Sequence, residues 1–203
     1  MLKKLVTVAA LAIGMSATQA NAYEIQYQDD YSANWANISA SYGSVAGLLD
    51  VTYWDAERNT NSFRYWSGSY SGRSVAFAGN TDGGSTGVIT LTPVAGQSVS
   101  LASFFLGSYV NANRATSYYI DDLATTGIDI QSGPVVVGAA GLVITPGITS
   151  SAGIKIGFGP NAYNVGINNI AFNVTPVPEP EMVSMMVLGL GLLGFAARRR
   201  KTQ

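Results

Sequence analysis

The chain has 203 residues, 47% of them hydrophobic, with 23 glycines, no cysteine and no histidine, and its 11 basic and 12 acidic side chains leave a formal charge of −1. That length suits one ordinary domain, two at most, and the charge balance offers no basic patch of the kind that nucleic acid requires. Without cysteine there is no disulfide, thiolate metal site or thiol nucleophile, and without histidine the commonest general base and metal ligand are missing, which argues against a zinc enzyme or a Ser-His-Asp hydrolase.

The charge is partitioned along the chain. Lys3 and Lys4 lie at the start, and Arg198, Arg199, Arg200 and Lys201 at the end. Residues 23–176 hold five basic and ten acidic side chains, so the middle carries a net charge of −5. Residues 1–22 read as a secretory signal peptide. The two lysines form its positive start, residues 5–15 an apolar stretch too short to span a membrane, and Ala20 and Ala22 place small side chains where a signal peptidase inspects them. The expected cut follows Ala22, and the domain then works outside the cytoplasm.

Residues 23–70 are rich in tyrosine and contain all three tryptophans, Trp35, Trp54 and Trp66. Residues 44–58 are ambiguous. Val45, Leu48, Leu49 and Thr52 fit a helical face, whereas Leu49, Val51 and Tyr53 alternate as in a strand. Gly43, Gly47 and the β-branched residues favour the strand. From there the composition is Gly, Ser, Thr, Asn, Val, Ile and Tyr, with few helix formers. Short apolar runs recur at 74–77, 88–91, 98–106, 116–123, 128–130, 134–137, 142–144, 154–158 and 164–174. Turn residues such as Gly133-Pro134, Pro146-Gly147 and Gly159-Pro160-Asn161 separate them. Strands at this spacing predict an all-β, antiparallel sandwich over residues 23–176. In the last run Val165 and Ile167 are apolar at odd positions, but Ile170, Phe172 and Val174 at even ones. One strand can bury both sets on one face only by skipping a residue, so a bulge is expected at Asn168-Asn169; a strand buried on both faces is the alternative.

The end of the chain has three parts in order. Val177-Pro178-Glu179-Pro180-Glu181 precedes an uncharged apolar run, residues 182–197, and residues 198–203 form a basic tail. As a helix the run measures about 24 Å at ~1.5 Å per residue, short for a ~30 Å hydrocarbon core. Arg198, Arg199 and Arg200 can snorkel to the headgroups and hold the cytoplasmic side as a membrane stop. Pro178, Glu179 and Pro180 then stand in extended chain on the outer side, where a membrane-embedded protease could grip them. A plain tail anchor and a core helix with a basic cap are the alternatives.

This tripartite ending resembles the PEP-CTERM sorting signal of Gram-negative bacteria that make extracellular polysaccharide. The resemblance implies export, arrest through a single C-terminal transmembrane helix, and cutting near Pro178-Glu179-Pro180 by an exosortase. A weaker resemblance links residues 65–174 to the ectodomain of many such proteins. It rests on Tyr65-Trp66, the runs at 87–93 and 98–104, and the closing 165–172, which is similar to the last strand of jelly-roll, galactose-binding-like modules. Asn168 stands where those modules usually have Asp, which weakens any calcium role resting on that carboxylate.

Sugar-binding sandwiches stack pyranose rings on exposed Trp and Tyr and bond the hydroxyls with Asn, Asp and Arg. Trp35, Trp54, Tyr65 and Trp66, with Asn34, Asp55, Arg64 and Arg73 nearby in sequence, supply that chemistry. Core packing is the competing reading for each ring, and Tyr65 and Trp66, as neighbours, must face opposite ways on a strand. A glycosidase needs two carboxyls across a cleft. Neither Asp29-Asp30 nor Asp121-Asp122 is such a pair, because neighbours on one strand diverge. No cofactor is expected; calcium is the metal that these carboxylates would suit. The sequence thus predicts an exported, exosortase-processed surface or matrix protein, non-catalytic, with exopolysaccharide as the candidate ligand. A purely structural matrix component and a glycan-active enzyme are the rivals.

Overall fold

Alternation of apolar and polar residues dominates the folded chain, and its regular structure is almost entirely sheet. The structure, a computed structural model, describes residues 21–28, 33–81, 84–177 and 188–190. Its strands are β1 (Asn21–Ile25), β2 (Leu49–Asp55), β3 (Arg64–Tyr70), β4 (Arg73–Phe77), β5 (Gly87–Pro93), β6 (Gln97–Ser108), β7 (Arg114–Asp122), β8 (Ile130–Gln131), β9 (Val135–Val137), β10 (Leu142–Ile144), β11 (Ile148–Ser150), β12 (Ile154–Gly159) and β13 (Val165–Pro176). They form two antiparallel sheets. The first runs β10-β6-β13-β4-β3, with β11 also on β6 and β1 also on β13. The second runs β2-β5-β12-β7-β8, with β9 also on β7.

The pairings nest. β4 pairs with β13, β5 with β12, β6 with β10 and β11, and β7 with β8 and β9. Successive partners lie in alternate sheets, so the chain behaves as one long hairpin rolled around the core. That is jelly-roll winding, and the fold is an antiparallel β-sandwich of that kind. β3 and β2 extend the two sheets beyond β4 and β5.

β2 shows the local logic. Leu49, Val51, Tyr53 and Asp55 are buried and the residues between them exposed, so the strand reading of this segment holds from Leu49 onward. Before it, Gly47 at φ +72° makes the turn in which Val45 bonds Leu49, a conformation that glycine adopts without a Cβ clash. The run expected at 128–130 narrows to Ile130–Gln131. Asp129 instead accepts hydrogen bonds from Asp122 N (2.7 Å) and Thr125 Oγ1 (3.1 Å), and this closes a turn rather than a ladder. β1 and β11 had no periodic signal of their own. Ala22 pairs with Asn173 in β1, so a cut after it leaves Tyr23, Glu24 and Ile25 in the ladder; Ala20 lies outside the described residues.

β13 carries the expected bulge. Its register against β6 shifts between Asn168 and Ala171, and Asn169 sits at φ +48°. Val165 and Ile167 before the shift, and Ile170, Phe172 and Val174 after it, all reach the core. On its other side β13 pairs with β4 only at Ile167 and with β1 from Ile170 onward. The Asn168 side chain fills the break. Its Oδ1 accepts from Tyr27 N (2.9 Å) and Asn169 N (2.6 Å), and its Nδ2 donates to Ser74 O (2.6 Å). The amide thereby replaces the ladder between the end of β1 and the start of β4. An aspartate could accept the same bonds but, ionised, could not donate to Ser74, which accounts physically for asparagine here.

Pro178, Glu179, Pro180, Arg198, Arg199 and Arg200 lie outside the described residues, as does most of the apolar run; residues 188–190 are helical. Among the described residues no helix is long and apolar enough to cross a membrane.

Two substitutions test the bulge. Asn168→Ala should lower folding stability by about 1–3 kcal/mol, the usual penalty for leaving buried backbone partners unsatisfied. Asn168→Asp should lose at least as much at neutral pH and regain part of it below about pH 4, where a protonated carboxyl can donate again. Urea titrations of both variants at the two pH values measure this, and an Asp variant as stable as wild type at neutral pH would refute the role given to Nδ2.

Candidate functional site

β3 turns its two leading rings to opposite faces. Tyr65 points into the core, 1% exposed, and donates its hydroxyl to Ser74 Oγ at 3.2 Å. Its ring therefore offers no face to a ligand. Trp66 points the other way, onto the outer face of the first sheet. There it joins a second, smaller cluster built on Tyr70, Val75 and Phe77. Trp35 reaches the same place from a turn in which Ala36 N bonds Ala33 O. That turn is fastened to the free edge of β3: Trp35 N bonds Tyr65 O and Tyr65 N bonds Ala36 O, both at 2.9 Å, and Ser67 N donates to Asn34 Oδ1 at 2.7 Å.

The rings meet largely edge to face. Trp35 lies 5.6 Å from Trp66 and 5.5 Å from Phe77, and Trp66 lies 5.3 Å from Tyr109. Tyr163 closes the set at 6.0 Å from Trp35. Edge-to-face pairs are favoured by the ring quadrupoles. Trp35 remains 43% exposed despite these contacts. The Arg64 guanidinium lies over its ring, 5.1 Å from the centroid, and donates to Asn80 Oδ1 at 2.8 Å. Burial, and then the charge of Arg58, lower the Arg64 pKa from its usual value. Tyr70 is buried, and its hydroxyl donates to the Tyr163 carbonyl at 2.6 Å. Burial, reinforced by Tyr163 and Tyr109, pushes the Tyr70 phenol far above the usual tyrosine range.

Of the four aromatic candidates, Trp35 and Trp66 come together. Trp54 is 41% exposed on the outer face of β2, in the second sheet, apart from them. The polar candidates scatter too. Asp55 is fully buried, accepting from Gly79 N at 2.8 Å and facing Arg58 at 3.4 Å. Arg73 lies over Phe105 and donates to Asn169 Oδ1. It borders a polar groove of about 500 Å³ beside the bulge, where Gln26, Gln28, Asn168 and Asn169 already bond within the chain. The carboxylates of Asp55, Glu57 and Asp121 are engaged within the chain: Glu57 holds Asn80 N and Thr81, next to the Gly79 that Asp55 holds, and Asp121 faces Lys155 at 3.7 Å. Among the described residues no three acids lie close enough together to hold a metal ion.

Sequence reasoning missed Phe77, Tyr109 and Tyr163 as partners of the tryptophans. Tyr109 follows β6 and Tyr163 precedes β13, and only the adjacency of those strands brings them to β3 and β4, through Tyr109 N to Asn164 O at 2.8 Å. No local pattern marks them.

The end of the chain is decided by comparison with known families. Residues 176–201 match the model of the PEP-CTERM protein-sorting motif. The chain carries that sorting motif. A PEP-CTERM motif directs an exported protein to an exosortase, a membrane processing enzyme that acts on it during transient anchoring. It says nothing of what the domain in front of it does. No curated protein matches the chain. Among solved structures, the exo-β-1,3-galactanase of Phanerochaete chrysosporium, solved with galactose, is similar at 13% identity and a TM-score of 0.29. The likeness covers 77% of this chain and only 29% of that one, and is too loose to bear on the fold or the site.

The buried phenol gives a pH test. Below about pH 10 tyrosine is neutral in both the folded and the unfolded chain. Above it the unfolded chain ionises while Tyr70 in the fold keeps its proton, so stability falls as pH rises. Tyr70→Phe should flatten that alkaline decline, while losing about 1 kcal/mol at neutral pH with the bond to Tyr163. Denaturant titrations at about pH 8 and pH 11 check both signs, and an unchanged alkaline slope would contradict the assignment.

Proposed function

We propose that this is an exported, exosortase-processed protein of the cell surface or extracellular matrix whose sandwich binds polysaccharide without cleaving it. The observation that carries the binding reading is the pairing of Trp35 and Trp66 on one outer face, held on a turn and a strand that fasten each other. Trp35, 43% exposed although Arg64 lies over its ring, leaves aromatic surface that suits the C–H face of a sugar. Arg64, over that ring, and Asn80, bonded to it, carry donors and an acceptor for hydroxyls. The non-catalytic reading is supported by the carboxylates, since Asp55, Glu57, Asp121 and Asp129 each engage neighbours within the chain rather than face one another across a cleft.

A second reading is a matrix component that acts by self-association. It is favoured by Val136 and Val143, 65% and 62% exposed on the short strands β9 and β10 at sheet margins, since open margins invite strand addition.

Calorimetric titration of the exported protein with its host's exopolysaccharide separates the two. Saturable binding, weakened at least tenfold in a folded Trp35→Ala variant and little changed in Trp54→Ala, supports the sugar face; hot-spot aromatics typically contribute this much. Concentration-dependent oligomers with no sugar binding support the structural reading instead. Intact-mass analysis of the mature protein tests processing: no residue beyond Glu181 is expected, and recovery of Arg198, Arg199 and Arg200 would leave a plain anchor.

A further inference from the structure

Beneath the exposed tryptophan, Trp35, Trp66, Tyr70, Phe77, Tyr109 and Tyr163 enclose a cavity of about 60 Å³. An apolar cavity of about 150 Å³ takes one benzene ring, so this one has room for about two to four heavy atoms. A whole sugar ring is too large for it. What fits is a small substituent hanging from a ring that lies against Trp35.

The surroundings choose among substituents. Aromatic walls alone would suit a methylated ammonium group. Here the Arg64 guanidinium already lies over Trp35, and Arg114 is near enough to act on Tyr70. Asp55 and Glu57, the carboxylates that act on Arg64, are engaged with Gly79, Arg58, Asn80 and Thr81. A cation is therefore opposed, while none of the six rings that line the cavity carries a positive charge to hold an anion. The wall mixes aromatic carbon with polar atoms, so a neutral group that brings a methyl and a carbonyl together suits it better than a bare hydroxyl, which would give up its water for ring carbon over much of that wall. Trp35 itself is held at φ +73°, in the left-handed region that a tryptophan seldom occupies. Backbone strain of that sort gathers at ligand clamps, and here it sits in the one exposed residue among those that line the cavity.

We propose that this cavity receives the methyl end of an acetyl substituent on a sugar unit that stacks against Trp35. The inference rests on the polysaccharide-binding reading above and names the class of unit bound: acetylated sugars, through an amide or an ester. Both linkages present the same methyl and carbonyl.

The test uses the exported protein and three oligosaccharide probes of one linkage: a β-1,4 tetramer of N-acetylglucosamine, the matching glucose tetramer, and that glucose tetramer after O-acetylation. Affinities come from calorimetry, and contact from saturation transfer to ligand protons. At least one acetylated probe should bind about tenfold or more tightly than plain glucose tetramer, the usual discrimination by a small apolar pocket. Saturation transfer should be strongest at the acetyl methyl protons. Preference for the N-acetyl probe assigns the amide, and preference for the O-acetylated one assigns the ester. Tyr109→Trp, which crowds the cavity from the half-buried position just after β6, should erase the preference. Should that variant fail to fold, the methyl signal in the wild type decides. Equal affinity for all three probes, all lost in Trp35→Ala, overturns the acetyl pocket and leaves the sugar face standing. Failure to bind any probe also overturns it, and the exopolysaccharide titration then shows whether the wider reading falls with it.

Discussion

The structure turns on a change of parity in β13. This strand lies between β6 on one side and β4 and β1 on the other, so its apolar residues must face the core at both ends. A regular strand with this sequence would bury Val165 and Ile167 and expose Ile170, Phe172 and Val174, or the reverse. Each such side chain left in water forfeits about 1.5–3 kcal/mol, and one skipped residue avoids the loss for the whole set. The skip breaks the ladder, and the Asn168 amide repairs it by accepting from Tyr27 and donating to Ser74.

The same strand prepares the outer face. Gly166 has no side chain, and a Cβ there would lie 2.3 Å from Val75 Cγ2. Val75 can therefore lie close against β13, beside Phe77 and beneath the rings of Tyr70 and Trp66. The aromatic cluster thus stands on a part of the sheet where a glycine leaves room for Val75. Jelly-roll winding then delivers rings from distant parts of the chain: Tyr70 and Tyr163, 93 residues apart, share a hydrogen bond. Trp35, on its strained turn, covers the group from outside the regular sheet.

Two kinds of information are separated along this chain. The PEP-CTERM motif is linear: a short proline-rich motif, an apolar run and a basic end are to be read by another protein, so their meaning lies in their order. The aromatic face is not linear. Its members come from a turn, two strands and two loops, and they become a surface only when β6, β13, β4 and β3 lie side by side.

The sequence by itself determined the class of fold, most strands, the bulge and the sorting motif, because each of these is expressed in neighbouring residues: a period of two, a change in that period, or a charge beside an apolar run. It also determined that Tyr65 and Trp66 face opposite ways, which backbone geometry alone requires. It did not determine which of the two faces solvent, since that depends on which side of β3 the second sheet covers. Nor did it determine that Trp35 and Trp66 would meet while Trp54 stood apart on the other sheet, or that Asp55 would be buried against Gly79 and Arg58. Those outcomes were decided by strand order and register across the two sheets, through contacts between residues that no local pattern connects.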